Sequence, residues 1–291
     1  MVDRALIIRN PAAGRGRARR LWPSIRERLS GFEFDEAITS RRGEGTAIAE
    51  KSKHSLVIAC GGDGTVHEVV NGLMRAGGKA ALGVIPLGSG DDFAKMLGSG
   101  DPLERILGGN KRKVDVGKIT ADGETRYFAN GMDIGFGAHG ARHVASVPRF
   151  LTGLGAYLAA LVLTLVRYPL LEVRIRLDDG PERAITTVMA ALMNGTTFGG
   201  SFRVCPEARA DDGELDVLIV DALGRLEILG LVPRIMRGAH AGDPRLELRR
   251  ARTVRIESSE PLLVEADGEI AFGGARRLEI GLLPGALTVL A

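Results

Sequence analysis

Asp63 lies among Gly61, Gly62 and Gly64 in the stretch Cys60 to Leu73 (CGGDGTVHEVVNGL), and those residue types at that spacing have a chemical use. Glycines let backbone amides approach a ligand closely, and a helix that starts there aims unpaired N–H groups and partial positive charge at it. Phosphate is the natural guest. A carboxylate among such amides repels phosphate unless a cation intervenes, so a nucleotide carrying Mg²⁺ resolves the pattern. A tight turn in which Asp63 merely caps the following helix is the alternative that these residues leave open.

The flanking elements must position this turn. Leu56-Val57-Ile58-Ala59 is a short apolar run suited to a strand buried on both faces. Val66, Val69, Val70, Leu73 and Met74 recur at the spacing of a core-facing helix. The turn therefore sits at the carboxyl end of a strand. The arrangement recurs twice: Ala5-Leu6-Ile7-Ile8 leads into Asn10-Pro11-Ala12-Ala13-Gly14-Arg15-Gly16, and Ala81 to Ile85 leads into Pro86-Leu87-Gly88-Ser89-Gly90-Asp91-Asp92. Three strand-loop-helix units predict a parallel sheet with its loops gathered at one edge. No G-x-x-x-x-G-K-[ST] occurs, Arg19 stands where a dinucleotide fingerprint needs its third glycine, and Asn71 spoils an H-E-x-x-H reading.

From about residue 120 the pattern changes. Leu171, Val173, Ile175 and Leu177 alternate with charged residues, and further short runs occur at Val188–Met193, Leu215–Val220, Thr253–Ile256, Leu262–Glu265 and Leu278–Ile280. These predict an antiparallel sandwich. The expected fold is thus an α/β N-terminal domain with a parallel sheet and glycine-rich nucleotide loops, plus a β-rich antiparallel sandwich as second domain. The expected boundaries are 1–122 and 123–275, with 276–291 returning to the first domain.

The three loops together resemble the diacylglycerol kinase catalytic domain family, specifically the soluble bacterial lipid kinases related to sphingosine kinases. The resemblance rests on N-P-x-[AS]-G, GGDGT-x-x-E-V-x-N-G and P-x-G-[ST]-x-[ND]-D-F-A in that order. It continues through Asn194-Gly195, Gly199-Gly200, Pro206 to Asp216 and Asp267-Gly268-Glu269, covering nearly the whole chain. It implies an ATP- and Mg²⁺-dependent kinase of a lipid hydroxyl, with diacylglycerol as the first candidate acceptor and sphingosine, ceramide or phosphatidylglycerol as alternatives. An NAD kinase with a similar loop and a catalytically silent lipid- or nucleotide-binding regulator are the competing readings.

Carried over residue by residue, the resemblance assigns the catalytic base to Glu269. It places the nucleotide site on Asn10, Pro11, Ala12, Ala13, Gly14, Thr39, Gly61, Gly62, Asp63, Gly64, Thr65, Val66 and Ser89. Asp63, Asp92 and Asp115 match an acidic network that holds the catalytic Mg²⁺ through water. A separate structural Mg²⁺ or Ca²⁺ is implied at Asp212 with the backbone oxygens of Arg209 and Glu214. In the third loop Asp91 stands where the family more often has Asn, adding a carboxylate beside the phosphates.

Composition narrows the setting. The 291 residues are 45% hydrophobic and 26% charged, ordinary for a globular protein of one large or two moderate domains. A net charge of +3 and 4% aromatic content give no footprint for nucleic acid. Arginines cluster at 15, 17, 19 and 20 and again at 249, 250, 252 and 255, where they could meet an anionic membrane. Two widely separated cysteines, Cys60 and Cys205, argue against a disulfide framework and for a reducing cytoplasm, and no secretory signal is read at the N-terminus. The uncharged segment Phe150 to Val166, bounded by Arg149 and Arg167, is diluted by Thr and Gly. It is short for a membrane span and is expected to be a buried or interfacial helix beside an acyl-chain cleft. Expected partners are ATP and a lipid substrate at a membrane surface, with peripheral membrane association; a homodimer is compatible with the resemblance. His139 and His143 share a helix face, but no third metal ligand accompanies them.

Overall fold

A computed structural model describes residues 4–144, Val147, 154–166, Tyr168 and 170–291. The chain divides into two compact units, Met1–Val116 with Pro284–Ala291, and Gly117–Leu283.

In the first unit, strands and helices alternate: β1 (Ala5–Arg9), α1 (Ala13–Arg28), β2 (Phe34–Ile38), α2 (Glu44–Lys51), β3 (Leu56–Gly61), α3 (Asp63–Arg75), β4 (Ala81–Pro86), α4 (Asp92–Met96), α5 (Pro102–Gly108) and the start of β5 (Lys111–Ala121). The order β2-β1-β3-β4 is parallel throughout, and Val289 near the C-terminus pairs in parallel with Leu82 of β4. β1 is buried at every position, as is β3 from Val57 onward, which is why both read as unbroken apolar runs rather than as alternation. Ile7, Ile58, Ile85, Trp22, Ile25, Leu103 and Leu290 join in one core. Helix α2 lies directly on α3 at Gly72, where a Cβ would come within 2.4 Å of Thr46 O and 2.6 Å of Ala49 Cβ. Gly72→Ala is therefore expected to destabilise the protein by about 1–3 kcal/mol through overpacking, read as a lowered urea midpoint.

The second unit contains the rest of β5, then β6 (Glu124–Phe128), β7 (Gly131–Gly135), α6 (Phe136–Val144), α7 (Leu154–Val166), β8 (Leu171–Leu177), β9 (Arg183–Met193), β10 (Leu215–Asp221), α8 (Arg225–Arg237), β11 (Leu246–Ala251), β12 (Thr253–Ala266) and most of β13 (Glu269–Leu290). Pairing is antiparallel throughout the order β11-β10-β9-β7-β12-β13. β8 also pairs with both β9 and β12, so β7 and β8 occupy successive stretches between the same two long strands. Alternate residues such as Ile134, Ile175, Leu192, Val217, Ile256 and Leu278 meet in its core, the inward face of a sandwich-like arrangement. Helix α8 was not expected in this β-rich half. It buries Ile228 and Leu231, carries Pro233 inside it and leaves Leu226 exposed, so its helical periodicity is faint in sequence.

Candidate functional site

The glycines of the first unit do what their sequence positions suggest, and bring three loops into backbone contact. A Cβ on Gly61 would lie 2.2 Å from Thr65 Oγ1, one on Gly62 would lie 3.0 Å from Gly88 Cα, and one on Gly14 would lie 2.3 Å from Leu87 O. Backbone hydrogen bonds tie the same loops: Leu87 N donates to Gly61 O at 2.7 Å, Asn10 N to Cys60 O at 3.0 Å, and Thr39 N to Arg9 O at 2.9 Å. Asn10 Oδ1 accepts from Ala12 N at 3.0 Å, an Asx turn that shapes the first loop. Asn10, Thr39, Gly61 to Val66 and Ser89 are thus assembled on the ends of adjacent strands, with Ser89 exposed.

Asp63 is the first residue of α3, yet its carboxylate serves another helix. Oδ2 accepts from Asp91 N and Oδ1 from Asp92 N, both at 2.7 Å. It therefore caps α4, a role that neither the Mg²⁺ reading nor capping of its own helix anticipated. Asp91 adopts a left-handed conformation (φ 52°) and folds its Oδ1 back onto Gly88 N at 2.9 Å. Lys95 Nζ donates to Asp92 Oδ1 at 2.8 Å. Burial, and then the charges of Asp92 and Asp91, push the Asp63 carboxyl up to about 7; Asp91 is also raised, chiefly by burial. Asp63, Asp91 and Asp92 thus crowd three carboxyls together, with Lys95 as the cation on Asp92. Asp115, buried on β5, takes a different part: its Oδ1 accepts from Gly285 N at 2.7 Å, tying the C-terminal segment into the first unit.

In the second unit, Asp267-Gly268 forms the β12–β13 turn. Positive φ at both residues, 50° and 90°, marks a type I′ hairpin, the geometry an Asp-Gly pair favours. Asp267 is buried rather than solvated. Its carboxylate accepts from Ala129 N at 3.0 Å, Asn130 N at 2.9 Å and Gly131 N at 3.1 Å, and Asp267 N donates to Gly131 O at 2.9 Å. Asn194, fully buried, braces the same loop by donating from Nδ2 to Ala129 O at 2.8 Å. Glu269, half-buried, opens β13 opposite Ala266. The hairpin that presents Glu269 is thus anchored through four hydrogen bonds to a loop far away in sequence.

The implied structural-metal residues lie together just before β10, but a cation already faces them. Arg250 Nη2 sits 2.9 Å from Asp212 Oδ2, with its guanidinium 3.5 Å from Glu214 and 3.6 Å from Asp216, while Asp212 Oδ1 accepts from Glu214 N at 3.2 Å. The Arg209 side chain leans on Asp211. A metal on Asp212 would compete with that of Arg250 for the carboxylate, whereas the part implied for Arg209 and Glu214 lies in their backbone oxygens. Among the described residues no three His, Cys, Asp or Glu side chains are grouped to hold a metal. His139 and His143 each use Nδ1 inside the protein, on Gly135 O at 2.9 Å and Thr164 Oγ1 at 3.0 Å.

Residues 150–153 of the uncharged segment, with Arg149 and Arg167, lie outside the described residues. Its remainder is α7, which buries Ala160, Thr164 and Leu165 and exposes Leu158, Val162, Leu163 and Val166. Among the described residues no helix is long and apolar enough to cross a membrane.

The carboxyls also set a pH dependence. Asp63 is raised to about 7 in the folded protein, and burial raises Asp133 (on β7) as well, so folding favours their protonated forms. The stability this confers is complete below the unfolded value near 4 and is lost as pH rises through 7. His139 and His240, lowered by burial, act oppositely but only below their unfolded value of 6.5. The melting temperature of the metal-free protein is therefore expected to fall between pH 6.5 and 8, and Asp63→Asn should flatten that decline.

Two family descriptions cover the chain: "Diacylglycerol kinase catalytic domain" matches residues 4–119 and "YegS C-terminal NAD kinase beta sandwich-like domain" matches 115–291. A "Probable lipid kinase YegS-like" protein of Chromohalobacter salexigens is 35% identical over 284 residues, spanning 92% of this chain and 89% of the relative. A "Diacylglycerol kinase" of Staphylococcus epidermidis is 30% identical over 283 residues, spanning 94% and 87%. A crystal structure of a Bacillus anthracis protein assigned as a diacylglycerol kinase superposes with a TM-score of 0.80 at 27% identity, covering 99% of this chain and 96% of its own.

Proposed function

Because the chain belongs to the diacylglycerol kinase family of bacterial lipid kinases, phosphotransferases with an alcohol acceptor, we propose that it transfers the γ-phosphate of ATP, with Mg²⁺, to the primary hydroxyl of diacylglycerol, giving phosphatidic acid. The observation that carries the nucleotide part is the convergence of Gly14, Gly62 and Gly88 with Asp63, Asp91 and Asp92 at the ends of β1, β3 and β4. Backbone amides there suit phosphate, and the carboxylates suit a hydrated Mg²⁺. When bound, that ion supplies charge neutralisation for the transferring phosphoryl group. Asp63 and Asp92 would hold it through water, and Asp63 additionally keeps the third loop closed upon the second.

Glu269 is the base in this reading. A carboxylate on a braced hairpin can accept the hydroxyl proton as the oxygen attacks phosphorus. The exposed apolar side chains of α7 give the protein a means of meeting a membrane surface, where an acceptor with acyl chains resides. The staphylococcal relatives bearing the name diacylglycerol kinase support that acceptor over other lipids. Arg250 weighs against a second, structural cation at Asp212. The test is mass spectrometry of products after incubation with MgATP and a total lipid extract. Phosphatidic acid as the dominant new species is the expected result, whereas a phosphorylated sphingoid base or ceramide would reassign the acceptor.

A further inference from the structure

A second pair of carboxyls lies in the second unit, touching the hairpin that carries Glu269 but given no part in the mechanism above. Glu265 of β12 stands directly opposite Asp133 of β7 in the strand register, and both side chains are almost entirely buried. Each uses one oxygen conventionally: Asp133 Oδ1 accepts from Ala138 N at 2.6 Å, in the first turn of α6, and Glu265 Oε1 accepts from Gly268 N in the turn of the Asp267-Gly268-Glu269 hairpin. The other two oxygens, Asp133 Oδ2 and Glu265 Oε2, are buried and meet no N–H or O–H donor elsewhere among the described residues. Across this register pair the two carboxyls bear on each other's ionisation. Gly137 makes room for this pairing, since a Cβ there would lie 2.3 Å from Asp133 Oδ2.

Two facing acceptors in a dry site cannot both be ionised, and a single proton between them satisfies both. We propose that Asp133 and Glu265 share one proton and so act as positioning residues for the Glu269 hairpin, the shared bond fixing Glu265 where it receives the Gly268 N–H. The proposal rests on Glu269 being the base. The charged or titratable groups that bear on the pair are Asp267, and each carboxyl upon the other; burial and this mutual repulsion hold Glu265 well above its ordinary range. Asp267 itself is occupied by the three amides of residues 129–131.

The one-proton rule makes an unusual demand on substitutions. In Glu265→Gln the amide oxygen accepts from Gly268 and the NH₂ donates to ionised Asp133; in Asp133→Asn the oxygen accepts from Ala138 and the NH₂ donates to Glu265. Either single variant restores the donor. The double variant sets two NH₂ groups against each other, and Glu265→Leu removes the acceptor for Gly268. Kinetics with ATP and diacylglycerol in mixed micelles should therefore show kcat within about threefold of wild type for each single amide variant. The double variant and Glu265→Leu should lose at least thirtyfold in kcat while KM for ATP stays within twofold.

Hydrogen exchange by mass spectrometry over the 265–270 peptide gives a readout independent of turnover: slow in wild type and Glu265→Gln, faster in Glu265→Leu. The proposal is overturned if the double variant matches the singles, if KM for ATP rises in step with the loss of kcat, or if exchange in Glu265→Leu is unchanged. Glu269→Gln serves as the reference. High turnover in that variant removes the base assignment and this inference with it, whereas an inactive Glu269→Gln beside a fully active double variant removes the inference alone.

Discussion

Glu269→Gln is expected to lower kcat for lipid phosphorylation by about 10²–10⁴-fold, the usual contribution of a positioned general base. The substitution keeps the size and one acceptor oxygen but cannot take the hydroxyl proton. Folding should be untouched, because the hairpin is held by Asp267 on the amides of Ala129, Asn130 and Gly131 and by pairing between β12 and β13, neither of which needs the Glu269 carboxylate. KM for ATP should also hold, since the nucleotide is assigned to the first unit. The measurement is steady-state kinetics with a matched thermal melt. A variant with wild-type kcat would exclude Glu269 as the base, and a variant that melts early would show a structural role instead.

Asp63→Ala is expected to act on activity and stability together. Its two oxygens are the acceptors for Asp91 N and Asp92 N, so truncation leaves both amides at the start of α4 without that cap, at a cost of about 1–3 kcal/mol each where water cannot reach. The third loop would loosen, and with it the carboxylate arrangement proposed to hold Mg²⁺. Turnover should fall by at least about a hundredfold, the scale seen when a preorganised electrostatic contact is lost. Asp63→Asn should do little better, because its NH₂ would face one of the two N–H donors. Residual activity that rises with millimolar Mg²⁺ would mark a weakened metal site; unchanged kcat with only a lowered melting temperature would confine Asp63 to capping.

Much of the first unit is legible in the chain itself. The apolar runs at 5–8, 56–59 and 81–85 are the cores of β1, β3 and β4, because a strand buried on both faces needs no polar alternation. The spacing of Val66, Val69, Val70 and Leu73 announces α3, and the Asp267-Gly268 pair announces its hairpin, because backbone preference at φ > 0 is local. Helix α8 is poorly legible because its buried residues are few and Pro233, a helix-disfavouring residue, lies inside it.

What adjacent residues cannot encode is which distant group a carboxylate meets. The sequence marks Asp63 as an anomaly among phosphate-facing glycines, yet only the approach of the third loop makes it the cap of α4. It offers Asp212 as a metal ligand, while the β10–β11 register brings Arg250 against it. Asp133 and Glu265 carry no motif at all; the pairing of β7 with β12 places them opposite each other, and burial then forbids both from being charged. Periodicity and turn chemistry act over a few residues and survive in the one-dimensional string. The ionisation and partners of acidic groups depend on desolvation and strand register, which exist only once the chain has folded.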